Sequence, residues 1–142
     1  MKSIPRIGRT ALLVGLVVAA AAALAATAQQ PTIDHYAELA KKDDAAFAGF
    51  SAADGKAFFL AERTGGNADT PSCSTCHTTN PRNSGDTRAG QAIAPMAVSV
   101  TGDRFTDLAK VEKWFRRNCN TVIGRECTAL EKGNFITFMA GQ

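Results

Sequence analysis

Several features that would mark other classes of protein are scarce in this 142-residue sequence. Excess charge is the first. The formal balance is +3, and without Lys2, Arg6 and Arg9 the 16 basic residues fall to the number of the 13 acidic ones. A balanced chain of this kind does not read as a nucleic-acid binder. Histidine is the second scarcity, with only His35 and His77 present. A zinc site needs further ligands at ordinary spacing, and Cys119 and Cys127 lie far from Cys73 and Cys76 with no paired histidine. Strand-rich patterning is also missing, which removes the βαβ setting of a thioredoxin-like dithiol. There is no internal repeat, and no low-complexity tract outside the alanine-rich N-terminus.

That N-terminus reads as an export signal. Lys2, Arg6 and Arg9 form a positive region, Thr10 to Ala26 carries no charge, and Ala26-Thr27-Ala28 supplies small residues at a peptidase site. The competing reading is a retained anchor, but an alanine core is weak for a stable span. Cleavage after Ala28 is expected, dividing the chain into a signal, 1–28, and one domain, 29–142, of a size that suits a single modest core. Export implies the periplasm, where disulfides persist and c-type haem is attached.

The most informative stretch is Cys73-Ser74-Thr75-Cys76-His77. Two cysteines three apart, followed at once by histidine, match the covalent attachment signature of haem c. One helical turn sets the two thiols at the separation of neighbouring vinyl groups, and His77 then lies beneath the iron as proximal ligand.

Around the motif the pattern is helical. Ile33, Tyr36, Ala37, Ala40 and Phe47 predict a helix over about 32–48, ended by Gly49. Ser51 with Asp54 resembles a capping box that opens a second helix, 52–62, burying Phe58, Phe59 and Leu60, with Gly55 small enough to admit another helix. Residues 78–101 read as loop, long enough to wrap one edge of a haem. Thr106 or Asp107 opens a helix whose stripe is Leu108, Val111, Phe115 and Asn118. Thr128 with Glu131 caps a last helix through about Ala140, with Leu130, Phe135, Phe138 and Met139 on its buried face. The outline is all-α, that of a class I cytochrome c fold in which the segment Gly55 to Phe59 crosses Phe135 and Phe138.

Function then depends on the iron's other axial position. Met96, after Pro95 in a loop, is the candidate of an ordinary electron carrier, while Met139 fits the core. Any methionine is more often core filler. Asn118 is the competitor, a polar residue on an apolar stripe beside Trp114. A buried carboxamide without a partner costs about 1–3 kcal/mol. Asparagine also serves often as a helix C-cap. With Cys73 and Cys76 consumed by haem, Cys119 and Cys127 are left to pair in an oxidising compartment, and their bridge would pin residues 120–126 next to Asn118.

At this point the chain resembles the sphaeroides haem protein family. The likeness is carried by Thr70-Pro71-Ser72-Cys73 through His77, Ile93-Ala94-Pro95, Arg104-Phe105-Thr106-Asp107, Val111 to Trp114, Arg117-Asn118-Cys119-Asn120 and Val122 to Cys127. The resemblance implies a proximal ligand at His77, a distal asparagine at Asn118 and a disulfide between Cys119 and Cys127. Met96 falls where the family does not rely on sulfur. It further implies a small-ligand-binding redox protein that takes electrons from a dihaem cytochrome c, sometimes alongside a membrane cytochrome b. An amide oxygen is a hard donor suited to ferric iron, so reduction is expected to loosen Asn118 and open a position for a diatomic such as oxygen or nitric oxide. The alternatives are a plain carrier ligated by His77 and Met96, and a small-molecule haem oxidoreductase. No general acid stands out beside the proposed distal site, so an electron-transfer and ligand-binding role is favoured over a dedicated enzyme. Smaller expectations are a carbonyl of Pro95 or Pro81 for the His77 ring N–H, a propionate contact from Arg88, Arg104 or Trp114, and a basic run at Lys110, Lys113, Arg116 and Arg117 that is either solvated or faces an acidic partner.

Overall fold

The structure is a computed structural model that describes residues 27–142. The expected export signal lies outside the described residues apart from Thr27 and Ala28 at its end. In chain order the elements are α1 (Gln30–Asp43), α2 (Ala52–Leu60), α3 (Ser74–His77), β1 (Gly85–Asp86), β2 (Ala92–Ile93), α4 (Leu108–Val122) and α5 (Ala129–Ala140).

The crossing of α2 and α5 organises the core. Ser51 opens α2 by accepting the Asp54 N–H, and its own N–H goes to Asn134 Oδ1 of α5 at 2.8 Å. Gly55 lies against the Asn134 carbonyl and the Phe138 side chain, so any Cβ there would overlap both. Close approach lets Phe59 reach Phe135 and Phe138, with ring centroids 6.0 Å apart in each case. Phe135 also meets Phe58, Phe105 and Phe115, which makes it the hub of the aromatic core. This matches the crossing expected from the sequence.

Thr128 and Glu131 form the expected capping box of α5. Leu130 departs from expectation and is 46% exposed, because the first turn of α5 overhangs the end of α1 rather than the core. Helix α1 stops at Asp43, short of Ala48. Asp44 turns extended and its carboxylate takes the Ala46 N–H, a local turn that competes with helix. Tyr36 and Ala40 still bury the inner face of α1.

The stretch read as pure loop contains an antiparallel ribbon, with Gly85 opposite Ile93 and Asp86 opposite Ala92. Helix α4 begins where expected, with Asp107 accepting the Lys110 N–H. Its buried face is Val111, Phe115, Cys119 and Val122. Asn118 is exposed instead of belonging to that stripe. Positions 118 and 119 fall on either side of the line through Phe115, and Cys119, bonded to Cys127, takes the core side with Val122.

Candidate haem site

Helix α3 is a single turn carrying the Cys73–His77 motif. Ser72 begins it. Its hydroxyl accepts the Thr75 N–H at 3.2 Å while Thr75 Oγ1 accepts the Ser72 N–H at 3.2 Å, the reciprocal logic of a cap. Thr78 ends it at φ 58°, a left-handed conformation rare for a β-branched residue. Such strain persists where surrounding contacts fix the chain, and it gathers at functional sites. Gly85 of β1 supplies one such contact, since a Cβ there would overlap the Cys76 carbonyl and the backbone of His77.

Cys73 and Cys76 are both unpaired thiols within this turn. Burial around Cys73, against the opposing pull of the Arg63 charge, disfavours a charged sulfur and suits an uncharged thioether there. His77 is half-buried, with Nδ1 sealed from solvent and lacking a hydrogen-bond partner. Burial first, then the Arg104 charge, pushes the imidazole pKa down to about 4. The ring is therefore neutral at physiological pH and has a lone pair to offer a metal. Among the described residues no group of three or more His, Cys, Asp or Glu is placed to hold a metal ion. Two free thiols one turn apart and a neutral imidazole beside them suit a thioether-attached haem and not a cage of protein ligands.

Neither proline carbonyl reaches His77. The Pro81 carbonyl accepts the N–H groups of Met96 and Ala97, each at 2.9 Å, and the Pro95 carbonyl accepts Arg104 Nε at 3.1 Å. Met96 is 8% exposed and packs into the main core. Arg88 faces Asp69 across 3.8 Å in the open.

On α4, Trp114 is 44% exposed and Asn118 follows one turn later, also exposed. Lys113 and Arg117 lie over the indole at 5.9 and 5.5 Å. Immediately beyond, Cys119 is bonded to Cys127, with Cα atoms 5.7 Å apart. The segment leading to the motif docks on this end of α4. Asn67 donates its N–H to the Thr121 carbonyl at 2.7 Å, and Gly65 and Gly66 touch the backbone of residues 121–123 so closely that side chains would not fit. The approach to Cys73 and the neighbourhood of Asn118 are thus tied together, while Met96 is anchored to Pro81 in the chain that leaves His77.

Sequence reasoning missed two groups. Buried Tyr36 donates to Glu112 at 2.6 Å, and buried Lys132 pairs with Glu112 at 3.2 Å, joining α1, α4 and α5. Burial alone would raise the Glu112 carboxyl, yet the hydrogen bonds from Tyr36 and Lys132 outweigh it and hold the pKa below the usual value. Gln29, 2% exposed, donates to the carbonyls of Gly102 and Arg104. No local pattern marks these partners, which lie at least 20 positions apart in sequence.

Comparison with known proteins agrees with this geometry. A family model described as a domain of unknown function, DUF1924, matches residues 45–139. The cytochrome c-type protein SHP of Cereibacter sphaeroides is 56% identical over 88 residues, which is 62% of this chain and 68% of that protein. Cytochrome c'' of Methylophilus methylotrophus is 35% identical over 126 residues, 88% of each chain. The structure of oxidised SHP, described as an oxygen-binding cytochrome c, superposes with a TM-score of 0.75 and 47% identity over 82% of this chain and 98% of that one. A solution structure of cytochrome c'', described as giving insight into haem-ligand detachment, superposes with a TM-score of 0.69 and 32% identity, covering 80% and 93%.

Proposed function

Since the chain belongs to the sphaeroides haem protein family, has the class I cytochrome c fold and carries one covalently attached haem, we propose that it is a periplasmic redox protein in which His77 and Asn118 would hold the iron, with Asn118 labile on reduction. It is a monohaem cytochrome whose relatives include an oxygen-binding one. The haem supplies the redox-active iron and the position at which oxygen or nitric oxide binds. Cys73 and Cys76 hold it covalently, and His77 gives a neutral imidazole.

The observation that carries the reading is the state of Asn118: exposed on α4, one turn past an exposed tryptophan, and next to the Cys119–Cys127 bridge. A surface-facing Trp-Asn pair beside the approach to the haem motif supports a face that the haem covers. An amide oxygen suits ferric iron better than ferrous, so Asn118 would hold the oxidised iron and would be released on reduction, with its backbone braced by the bridge. The ligand detachment described for cytochrome c'' supports a labile distal group. Met96 is committed to the core on the Pro81 side, which favours packing over ligation. A dihaem cytochrome c is the proposed electron donor, with a membrane cytochrome b in some settings. No helix among the described residues is long and apolar enough to cross a membrane.

Ferric absorption spectra of Asn118→Ala and Met96→Leu test the ligation. Asn118→Ala is expected to change the ferric spin state and speed ligand entry, with Met96→Leu spectrally silent. A sulfur-to-iron charge-transfer band lost in Met96→Leu would establish the plain carrier instead. Sustained turnover of oxygen or nitric oxide with the physiological donor would move the protein to the oxidoreductases.

A further inference from the structure

The turn over residues 101–106 is built around a left-handed, non-glycine residue, Phe105, at φ 63°. A bulky side chain takes that conformation only where tertiary contacts enforce it. Two do so here. The Phe105 ring meets Phe135 edge-on at 6.0 Å, and buried Gln29 Nε2 clasps the carbonyls of Gly102 and Arg104 at 2.9 and 3.0 Å.

What this arrangement holds in place is Arg104. Its Nε donates to the Pro95 carbonyl and its Nη2 to the Ala94 carbonyl, and the residue is half-buried. Among the described residues no carboxylate lies within ion-pair distance of it. A guanidinium has five N–H donors in a planar fork, so three remain after these two bonds. Adjacent to Pro95, the amides of Met96 and Ala97 grip Pro81, four residues past His77. Arg88, by contrast, is exposed and already faces Asp69.

A partly desolvated guanidinium, fixed by two backbone carbonyls and lacking an anion, is a receptor for a planar carboxylate. We propose that Arg104 anchors a propionate carboxylate of the haem and that its charge raises the midpoint potential of the iron. A fixed cation nearby disfavours the more positive ferric state. Removing it leaves the carboxylate uncompensated, which favours the ferric state further. The proposal rests on haem attachment through Cys73 and Cys76, and not on the identity of the distal ligand.

The test is a redox titration of haem-loaded wild type, Arg104→Gln, Arg104→Lys and Arg88→Gln, with covalent haem verified by the pyridine haemochrome spectrum. Arg104→Gln is expected to shift the ferric-to-ferrous ratio at fixed solution potential about tenfold toward ferric, a fall of about 59 mV for one electron. Arg104→Lys should stay within about threefold of wild type by the same conversion, and Arg88→Gln should not move. Arg104→Met, which keeps the apolar stem, answers the same question if the glutamine variant does not fold. A red Arg104→Gln or Arg104→Met protein with wild-type potential overturns the proposal. So does an equal fall in the lysine and neutral variants, which would make Arg104 a brace for the Ala94–Pro95 turn alone. A wild type lacking covalent haem would instead defeat the attachment reading.

Discussion

Gly55 is where the backbones of α2 and α5 come closest. The missing side chain permits contact with the Asn134 carbonyl, and that contact lets Phe59 enter between Phe135 and Phe138. Gly55→Ala should therefore cost about 1–3 kcal/mol through overpacking, against a small helix-propensity gain. Chemical denaturation of the haem-loaded protein should show a lower midpoint with the slope unchanged, and an unchanged midpoint would mean that the helices part without penalty. The sequence marked Gly55 as a point of close approach, because a glycine inside a helical pattern calls for a packing reason. Glu112 gave no such sign. It reads as one more charge on a charged helix, and its partner Tyr36 lies 76 positions away.

Helix α4 and the bridge that follows it act as one element. The sequence stripe was right through Leu108, Val111 and Phe115, then divided at Asn118 and Cys119, where periodicity alone does not choose. In the structure Cys119, bonded to Cys127, faces inward with Val122, and Asn118 faces out. The double variant Cys119→Ala/Cys127→Ala should lose about 2–3 kcal/mol of stability by the chain-entropy model for so short a loop. The Asn67 and Gly66 contacts on residues 121–122 should loosen with it, read as faster amide hydrogen exchange at Asn67. Exchange at Asn67 unaltered in the reduced or alanine form would show that the segment is held without the bridge. At α1 and α5 the end positions were the weak points. Asp44 closed α1 early through its own side chain, and Leu130 sat on the overhanging first turn.

For the molecule as a whole, charge is balanced in number but not in place. Lys110, Lys113, Arg116 and Arg117 are all exposed on α4, with Lys113 and Arg117 over Trp114. The proposed electron donor would be steered by such a face. Converting Lys113 and Arg116 to glutamate should slow electron entry from an acidic donor about tenfold at low salt, with the difference disappearing at high ionic strength. Stopped-flow reduction across a salt series measures it. A rate indifferent to both charge and salt would place the docking face elsewhere.

The sequence by itself determined the attachment chemistry and the helical frame. The Cys73–His77 turn is local, since one turn of helix fixes the thiol spacing, and caps such as Asp107 and Thr128 act within three residues of themselves. Tertiary structure alone decided which flank of α4 stays open, which donors the Pro81 and Pro95 carbonyls accept, and how Arg104 is held on the Ala94 and Pro95 carbonyls with no carboxylate among the described residues paired to it. Those outcomes depend on residues brought together from distant parts of the chain, Gln29 with Arg104 and Tyr36 with Glu112 among them, and no local periodicity encodes such a meeting.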